Sequence, residues 1–243
     1  MSLRLLKPRL RLPLASLLHY KTIVPITNTH TRKMSNTTST IPAGQPADPY
    51  KSKNLDTSTS LSTKVTDLAG LLDGIKTCML TTRRESDGFL VSRCMQLAAR
   101  ENDVDLVFTT NVKTGKIEEI KEEDHVNVSF VRASSGEWAS VSGTASLSTD
   151  RTSVKQYYSP TLRAWLGDLG DGVHDGGPED PRIGVIRIKT HSATYAIDRK
   201  TMVGKAVEVV KGVVGGEVAG VNALREISVE EVETIRRMGG VKA

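Results

Sequence analysis

The chain has 243 residues, 38% hydrophobic and 4% aromatic, with a formal net charge of +5. Residues 1–47 hold seven basic side chains (Arg4, Lys7, Arg9, Arg11, Lys21, Arg32 and Lys33) and no acid, which leaves about −2 for the rest. The sequence pI of about 9.2 therefore describes the N-terminal segment, and neither charge nor aromatic content suits the remainder to nucleic acid.

The N-terminal segment is Arg-rich, hydroxyl-rich and free of acids, the composition of a mitochondrial presequence. Its leucines could line one face of a helix, although Pro8 and Pro13 interrupt it. Met34 opens a second plausible start. The expected location is mitochondrial if the basic N-terminus is translated, and cytoplasmic if translation begins at Met34. No uninterrupted apolar run approaches the length of a membrane span, so no membrane partner is expected. Residues 35–60 are rich in Ser, Thr, Pro and Lys and read as linker, which makes 1–60 a disordered N-terminal region. The two cysteines, Cys78 and Cys94, provide no disulfide framework and fit a reducing compartment.

A folded unit is expected over 61–199. Leu61 to Leu72 carries Val65, Leu68, Ala69 and Leu72 at helical spacing, with Asp73-Gly74 ending the helix. Thr77 to Thr82 reads as a strand, followed by a hairpin turn at Glu85-Ser86-Asp87-Gly88. In the next strand Phe89, Val91, Met95 and Leu97 share one face, and Arg93 lies in phase with them. A guanidinium there keeps its charge and needs a phosphate or a carboxylate beside it. Cys94, on the opposite face, has no evident His to activate it and is expected to be a small buried side chain.

Val104 to Thr110 forms a further strand ending in the hydroxyls of Thr109 and Thr110. Asn111 to Lys116 then leads into a helix that begins near Ile117. Free N–H groups at a helix start, with Lys113, Lys116 and a Gly beside them, suit an anion. One reading converges Arg93, Thr109, Thr110 and Lys116 on a phosphate. The other pairs Arg93 with a carboxylate and leaves both lysines in a solvated turn.

Val126 to Arg132 alternates as a strand, and so does Glu137 to Leu147. The latter puts Val141 on one face, and Trp138, Ser140, Ser142, Thr144 and Ser146 on the other. Asp150 caps a short helix, and Trp165 sits in the turn after Pro160. The Gly- and Asp-rich stretch 167–181 contains His174, but its spacing matches no EF-hand or paired-His motif, so a mobile acidic loop without metal is expected. Ile183 to Thr190 and Ala193 to Ile197 form a last strand or bent strand. Residues 200–243 read as a helical extension of two helices, Met202–Val214 and Ser228–Met238, with a capping box at Ser228 and Glu231. Hairpin-like succession of five or six strands points to a small antiparallel barrel. Neither a Walker A sequence nor GxGxxG is present.

The series Cys78-Met79-Leu80-Thr81-Thr82, Ser92-Arg93-Cys94-Met95, Phe108-Thr109-Thr110-Asn111, Lys116-Ile117-Glu118-Glu119-Ile120 and Val141-Ser142-Gly143-Thr144-Ala145 resembles the pyridoxamine 5′-phosphate oxidase-like FMN-binding split barrels. The likeness spans about residues 60–198 and is strongest to the general stress protein branch, which includes the fungal blue-light-induced proteins. It implies a mainly β (α+β) fold: a six-stranded antiparallel split β-barrel with short peripheral helices, assembled as a homodimer. FMN, with FAD as the other possibility, would lie in a groove between the subunits. By the resemblance Arg93 and Lys116 hold its phosphate, with Lys113 beside them. Thr109 and Thr110 donate to the phosphate or ribityl chain, and Ser92, Cys94 and Met95 run along the flavin. Trp138, Val141 and Ser142 stand near its ring.

The chain departs from the vitamin B6 oxidases in two places. Ala196 stands where their flavin-contacting Trp would be, and their terminal arginine segment is absent. Oxidation of pyridoxamine phosphate is therefore not expected. Three functions remain: an FMN-dependent oxidoreductase with an unidentified substrate, a flavin-binding stress protein without turnover, and a dimeric scaffold with a vestigial groove. No acid–base dyad or triad is evident, which suits chemistry carried by a cofactor.

Overall fold

A computed structural model describes residues 48–198, 213, 218 and 220–241. Residues 1–47, with the expected presequence and second start, lie outside the described residues. Of the helix expected at Met202–Val214, only Val213 is described, and it is helical.

Seven antiparallel strands form one sheet: β1 (Thr77–Arg83), β2 (Leu90–Glu101), β3 (Asp105–Asn111), β4 (His125–Arg132), β5 (Glu137–Ser148), β6 (Ile183–Asp198) and β7 (Asn222–Ile227). Their spatial order is β3-β2-β1-β4-β5-β6-β7, and β3 also pairs with β6, so the first six close into a barrel. Strand β7 is added outside the closed barrel, and its outer edge bonds to the segment after α1 through Leu55 and Asp56. Helices α1 (Pro49–Asn54), α2 (Leu61–Ile75), α3 (Lys116–Glu122), α4 (Arg151–Tyr157), α5 (Thr161–Leu166) and α6 (Val229–Met238) surround it. Among the described residues no helix is long and apolar enough to cross a membrane.

Alternation along the strands decides what fills the barrel. Leu80, Phe108, Val128, Phe130, Val141, Ile186, Ile188 and Tyr195 are all fully buried inside it. On β3 the apolar run is continuous because both faces are covered. Leu106 and Phe108 join the main core, whereas Val107 belongs to a smaller cluster with Val154, Ile183 and Val185. That cluster seats α4 and α5, through Tyr157, Tyr158, Leu162 and Leu166.

β6 is a single 16-residue strand. The register against β5 slips between Ser142 and Gly143, so His191 is an extra residue on β6. This bulge lets one long strand change partners, pairing with β3 before it and with β7 after it. Gly143 is required there, because a Cβ would stand 2.3 Å from the Lys189 carbonyl oxygen.

Four sequence expectations are corrected. First, the stretch before α6 contains β7 rather than helix and turn alone. Second, part of the expected linker is ordered: Pro49–Asn54 is helical and capped by Asp48. Asp56 accepts from Arg225 at 3.0 Å, and its amide donates to the Leu224 carbonyl at 2.8 Å. Arg225 also pairs with Asp67. These partners are too distant in sequence for local pattern to reveal. Third, α2 runs through Gly74 to Ile75 and stops at Lys76, whose φ of 58° ends the helical path. Fourth, stretch 167–181 is tied down at its base rather than being a free loop. There the Arg182 guanidinium donates to Asp180 at 2.6 Å and to the carbonyls of Leu166 (2.9 Å), Gly167 (2.8 Å) and His174 (3.1 Å). Arg182 and its backbone amide hold the Asp180 carboxyl down at about 2. The capping box at Ser228 and Glu231 forms as expected.

Candidate functional site

The turn between β3 and α3 is built by its own side chains. Asn111 accepts from the Lys113 amide at 2.8 Å, and Thr114 Oγ1 donates to the Asn111 carbonyl, also at 2.8 Å. Lys116 Nζ then donates to Thr114 Oγ1 at 2.7 Å. Gly115 precedes the helix without any side-chain cap. The hydrogen bond to Thr114 holds the Lys116 ammonium, which is half-buried at a cavity wall.

That cavity, about 940 Å³, lies where β2, the end of β3 and the start of α3 meet α4 and α5. Its volume is at the upper end of the range for small-molecule sites, about 300–1,000 Å³. Cys94, Met95, Thr109, Thr110 and Lys116 line it, so five of the eleven sequence-derived candidates converge. Sequence reasoning missed Lys76, Thr77 and Gln96, and also the wall from Gln156 to Leu166. Only the barrel topology brings α4 and α5 against β2.

Lys116 has no carboxylate within salt-bridge distance among the described residues. Burial pushes its ammonium below the usual value; the nearby Arg93 charge acts in the same sense, and Glu119 opposes both. Arg93 itself does not line the cavity. Its guanidinium donates to Glu119 Oε2 at 2.7 Å and to Thr82 Oγ1, while Thr82 donates to Glu119. Of the two readings of Arg93, the structure contains the carboxylate pair. Glu119 and Thr82 were not among the candidates. Glu119 lies three residues beyond Lys116, about one helical turn along α3.

The remaining candidates lie elsewhere. Lys113 is exposed on the turn, and Val141 is a fully buried core residue that its strand phase keeps inside the barrel. Ser92, Trp138 and Ser142 belong to the outer face of the sheet. Cys94 is exposed there too, against the expectation of a buried side chain, because the even positions of β2 face outward and Cys94 borders an open cavity rather than packing against another element. Cys78, one strand away, faces the core, and burial pushes its thiol up to about 12.

This outer face has a distinct composition. Cross-strand rows Cys94–Met79–Ser129–Ser140 and Ser92–Thr81–Asn127–Ser142 carry no charged side chain, and neither do the flanking pairs Gln96–Thr77 and Val131–Trp138. Its polar groups largely satisfy one another. Asn127 donates to Ser140 at 2.8 Å and to Ser142 at 3.2 Å, Ser129 donates to Asn127 at 2.8 Å, and Thr81 and Ser92 are 2.7 Å apart. Met79 and Val131 are exposed on it.

Glu123, Asp124 and His125 are the one group of potential metal ligands among the described residues, half-buried at Glu123 and exposed at the other two, and none of them belongs to stretch 167–181. His125 is raised above its ordinary pKa by the Glu123 carboxylate, as an exposed charge pair would be.

Comparison with known proteins bears on this arrangement. The family model for proteins described as pyridoxamine 5′-phosphate oxidase like matches residues 63–219. The protein bli-3 of Neurospora crassa is 54% identical over 193 residues, 79% of this chain and 92% of bli-3. A candidate general stress protein 26 from Jannaschia sp. CCS1 superposes with a TM-score of 0.50 at 19% identity, over 69% of this chain and 99% of that one. A pyridoxamine 5′-phosphate oxidase-related, FMN binding protein from Nostoc punctiforme gives 0.47 at 15% identity, over 57% and 86%.

Proposed function

The chain belongs to the pyridoxamine 5′-phosphate oxidase-like family, and we propose that it is an FMN-binding flavoprotein of the general stress type, acting as an oxidoreductase. The observation that carries this reading is Lys116: a desolvated ammonium at the wall of a ligand-sized cavity, without a carboxylate of its own. A half-buried cation of this kind is stabilised by an anion arriving from outside. Thr109 and Thr110, which line the same cavity, bring hydroxyls suited to a phosphate.

In this reading Lys116 binds the phosphate, and Thr109 and Thr110 supply donors around it. Arg93 adds positive potential, and its pairing with Thr82 and Glu119 fixes β1 and β2 against α3, which holds the Lys116 turn in place. Cys94 and Met95 present a thiol and a thioether along the cavity, suited to a flat ring. Bound flavin would supply the electron-transfer chemistry, so the protein's part is binding, orientation and exclusion of water.

Ser92, Trp138 and Ser142 lie apart from this cavity within one chain. We place them at a homodimer interface, where a second subunit brings the outer face of its β4–β5 pair toward the first subunit's cavity. The uncharged outer face supports this, since charged groups are depleted at the centre of such interfaces.

The test is the visible absorption spectrum of the purified protein before and after addition of FMN. Flavin bands near one per chain, shifted from those of free FMN, are expected. A colourless protein whose added FMN dialyses away completely would refute the reading.

A further inference from the structure

We propose that the α4–α5 wall of the cavity is a binding surface for a second ligand, a neutral, planar, fused-ring aromatic molecule stacked on Trp165. The inference rests on the flavin reading to the extent that it places this ligand beside the phosphate-bearing one.

Trp165 lines the cavity yet is 86% exposed. Its neighbours behave differently. Tyr157, Tyr158, Leu162 and Leu166 face the same cavity but also pack on the small core beneath, so packing explains them. It does not explain Trp165, whose ring contributes nothing to that core. Leaving so large an apolar surface in water is unfavourable, and a ligand that covers it recovers the loss.

The wall is also held in advance. Tyr157 donates to Glu101 at 2.6 Å, and Tyr158 donates to the Gly176 carbonyl at 3.0 Å. Arg182 grips the Leu166 and Gly167 carbonyls at the end of α5. A fixed aromatic surface loses little freedom when a ligand binds.

Charge selects the ligand class. From Gln156 to Leu166, no side chain lining the cavity is charged, and the lining cations, Lys76 and Lys116, belong to other segments. No lining side chain between Gln156 and Leu166 would neutralise a phosphate or carboxylate, whereas flat uncharged rings match them.

Menadione, a neutral naphthoquinone, is the probe, titrated into the full chain with and without FMN. Binding is read by equilibrium dialysis and by quenching of tryptophan emission. The wild type should show saturable binding. Trp165→Ala should weaken it at least tenfold and remove the saturable quenching, leaving Trp138 emission and FMN affinity unchanged. Trp165→Arg, which puts a charge on the wall, should do the same. Menadione binding unaffected by either substitution would overturn the proposal, as would conversion of a dimer to monomer by Trp165→Ala. Failure of FMN binding with Trp165-dependent menadione binding intact would sink the flavin reading and leave this one standing. The reverse pattern would sink this one alone.

Discussion

Replacing Lys116 with Met separates the two roles that its position assigns to it. Met keeps most of the stem and removes the ammonium, while Thr114 still donates to the Asn111 carbonyl. A hydrogen bond to a charged group contributes about 1.5–3 kcal/mol, so FMN affinity should fall about 10- to 150-fold. Riboflavin lacks the phosphate and should bind wild type and variant equally. The unliganded protein should respond in the opposite direction. Its ammonium is half-buried without a carboxylate, so Met removes a desolvation penalty, about 0.5–1 kcal/mol, and raises Tm by about 1–4 °C. A pH series gives a third check. The folded protein holds this proton more weakly than the unfolded chain, whose value is near 10.5. Wild-type stability therefore gains from rising pH across the interval just below 10.5, and the variant lacks that gain. Flavin fluorescence titration and thermal melts are the assays. Equal FMN affinity in both proteins, or an equal loss for riboflavin and FMN, would refute the phosphate assignment.

Four further substitutions have expected outcomes. Asp180→Asn leaves Arg182 buried without its carboxylate and should cost about 3 kcal/mol, lowering Tm by about 6–12 °C. In the wild type the Asp180 carboxyl is held down at about 2, so its contribution is complete above pH 4 and disappears as pH falls through 2; an acid titration of wild type and variant should converge there. Gly143→Ala puts a Cβ against the Lys189 carbonyl oxygen and should cost about 3 kcal/mol or more, whereas Gly115→Ala meets nothing within 4 Å at a helical φ of −55° and should stabilise by about 0.4–1 kcal/mol in a chemical denaturation series. Ser140→Arg places a cation on the uncharged outer face, so the wild type should sediment as a dimer and the variant as a monomer; unchanged sedimentation would count against the interface.

The local pattern of the chain determined much of this fold. The strands at 77–82, from Phe89 onward, at 126–132 and at 137–147 were legible, and alternation gave the inward phase of Val91 to Leu97 and of Val141, because side-chain period follows directly from backbone pleat. Caps at Asp150 and Ser228 and the turn at 111–116 were equally legible, since their hydrogen bonds join residues only two or three apart. Arg93 could be read as a charge needing a partner. What it pairs with could not, because Thr82 and Glu119 reach it from a neighbouring strand and a following helix.

The same limit applies to β7, whose six residues become a strand only by pairing with the far half of β6. It also applies to Arg225, whose partners Asp56 and Asp67 lie more than 150 residues away. Exposure of Cys94 depended on the outer face of β2 bordering an open cavity, a property of the assembled fold. Above all, the cavity exists because closure of β3 onto β6 carries α4 and α5 across to β2. Sequence fixed which residues face inward or outward through short-range geometry. Only long-range pairing decided which outward-facing residues meet, and so placed Trp165 and Lys116 at one cavity.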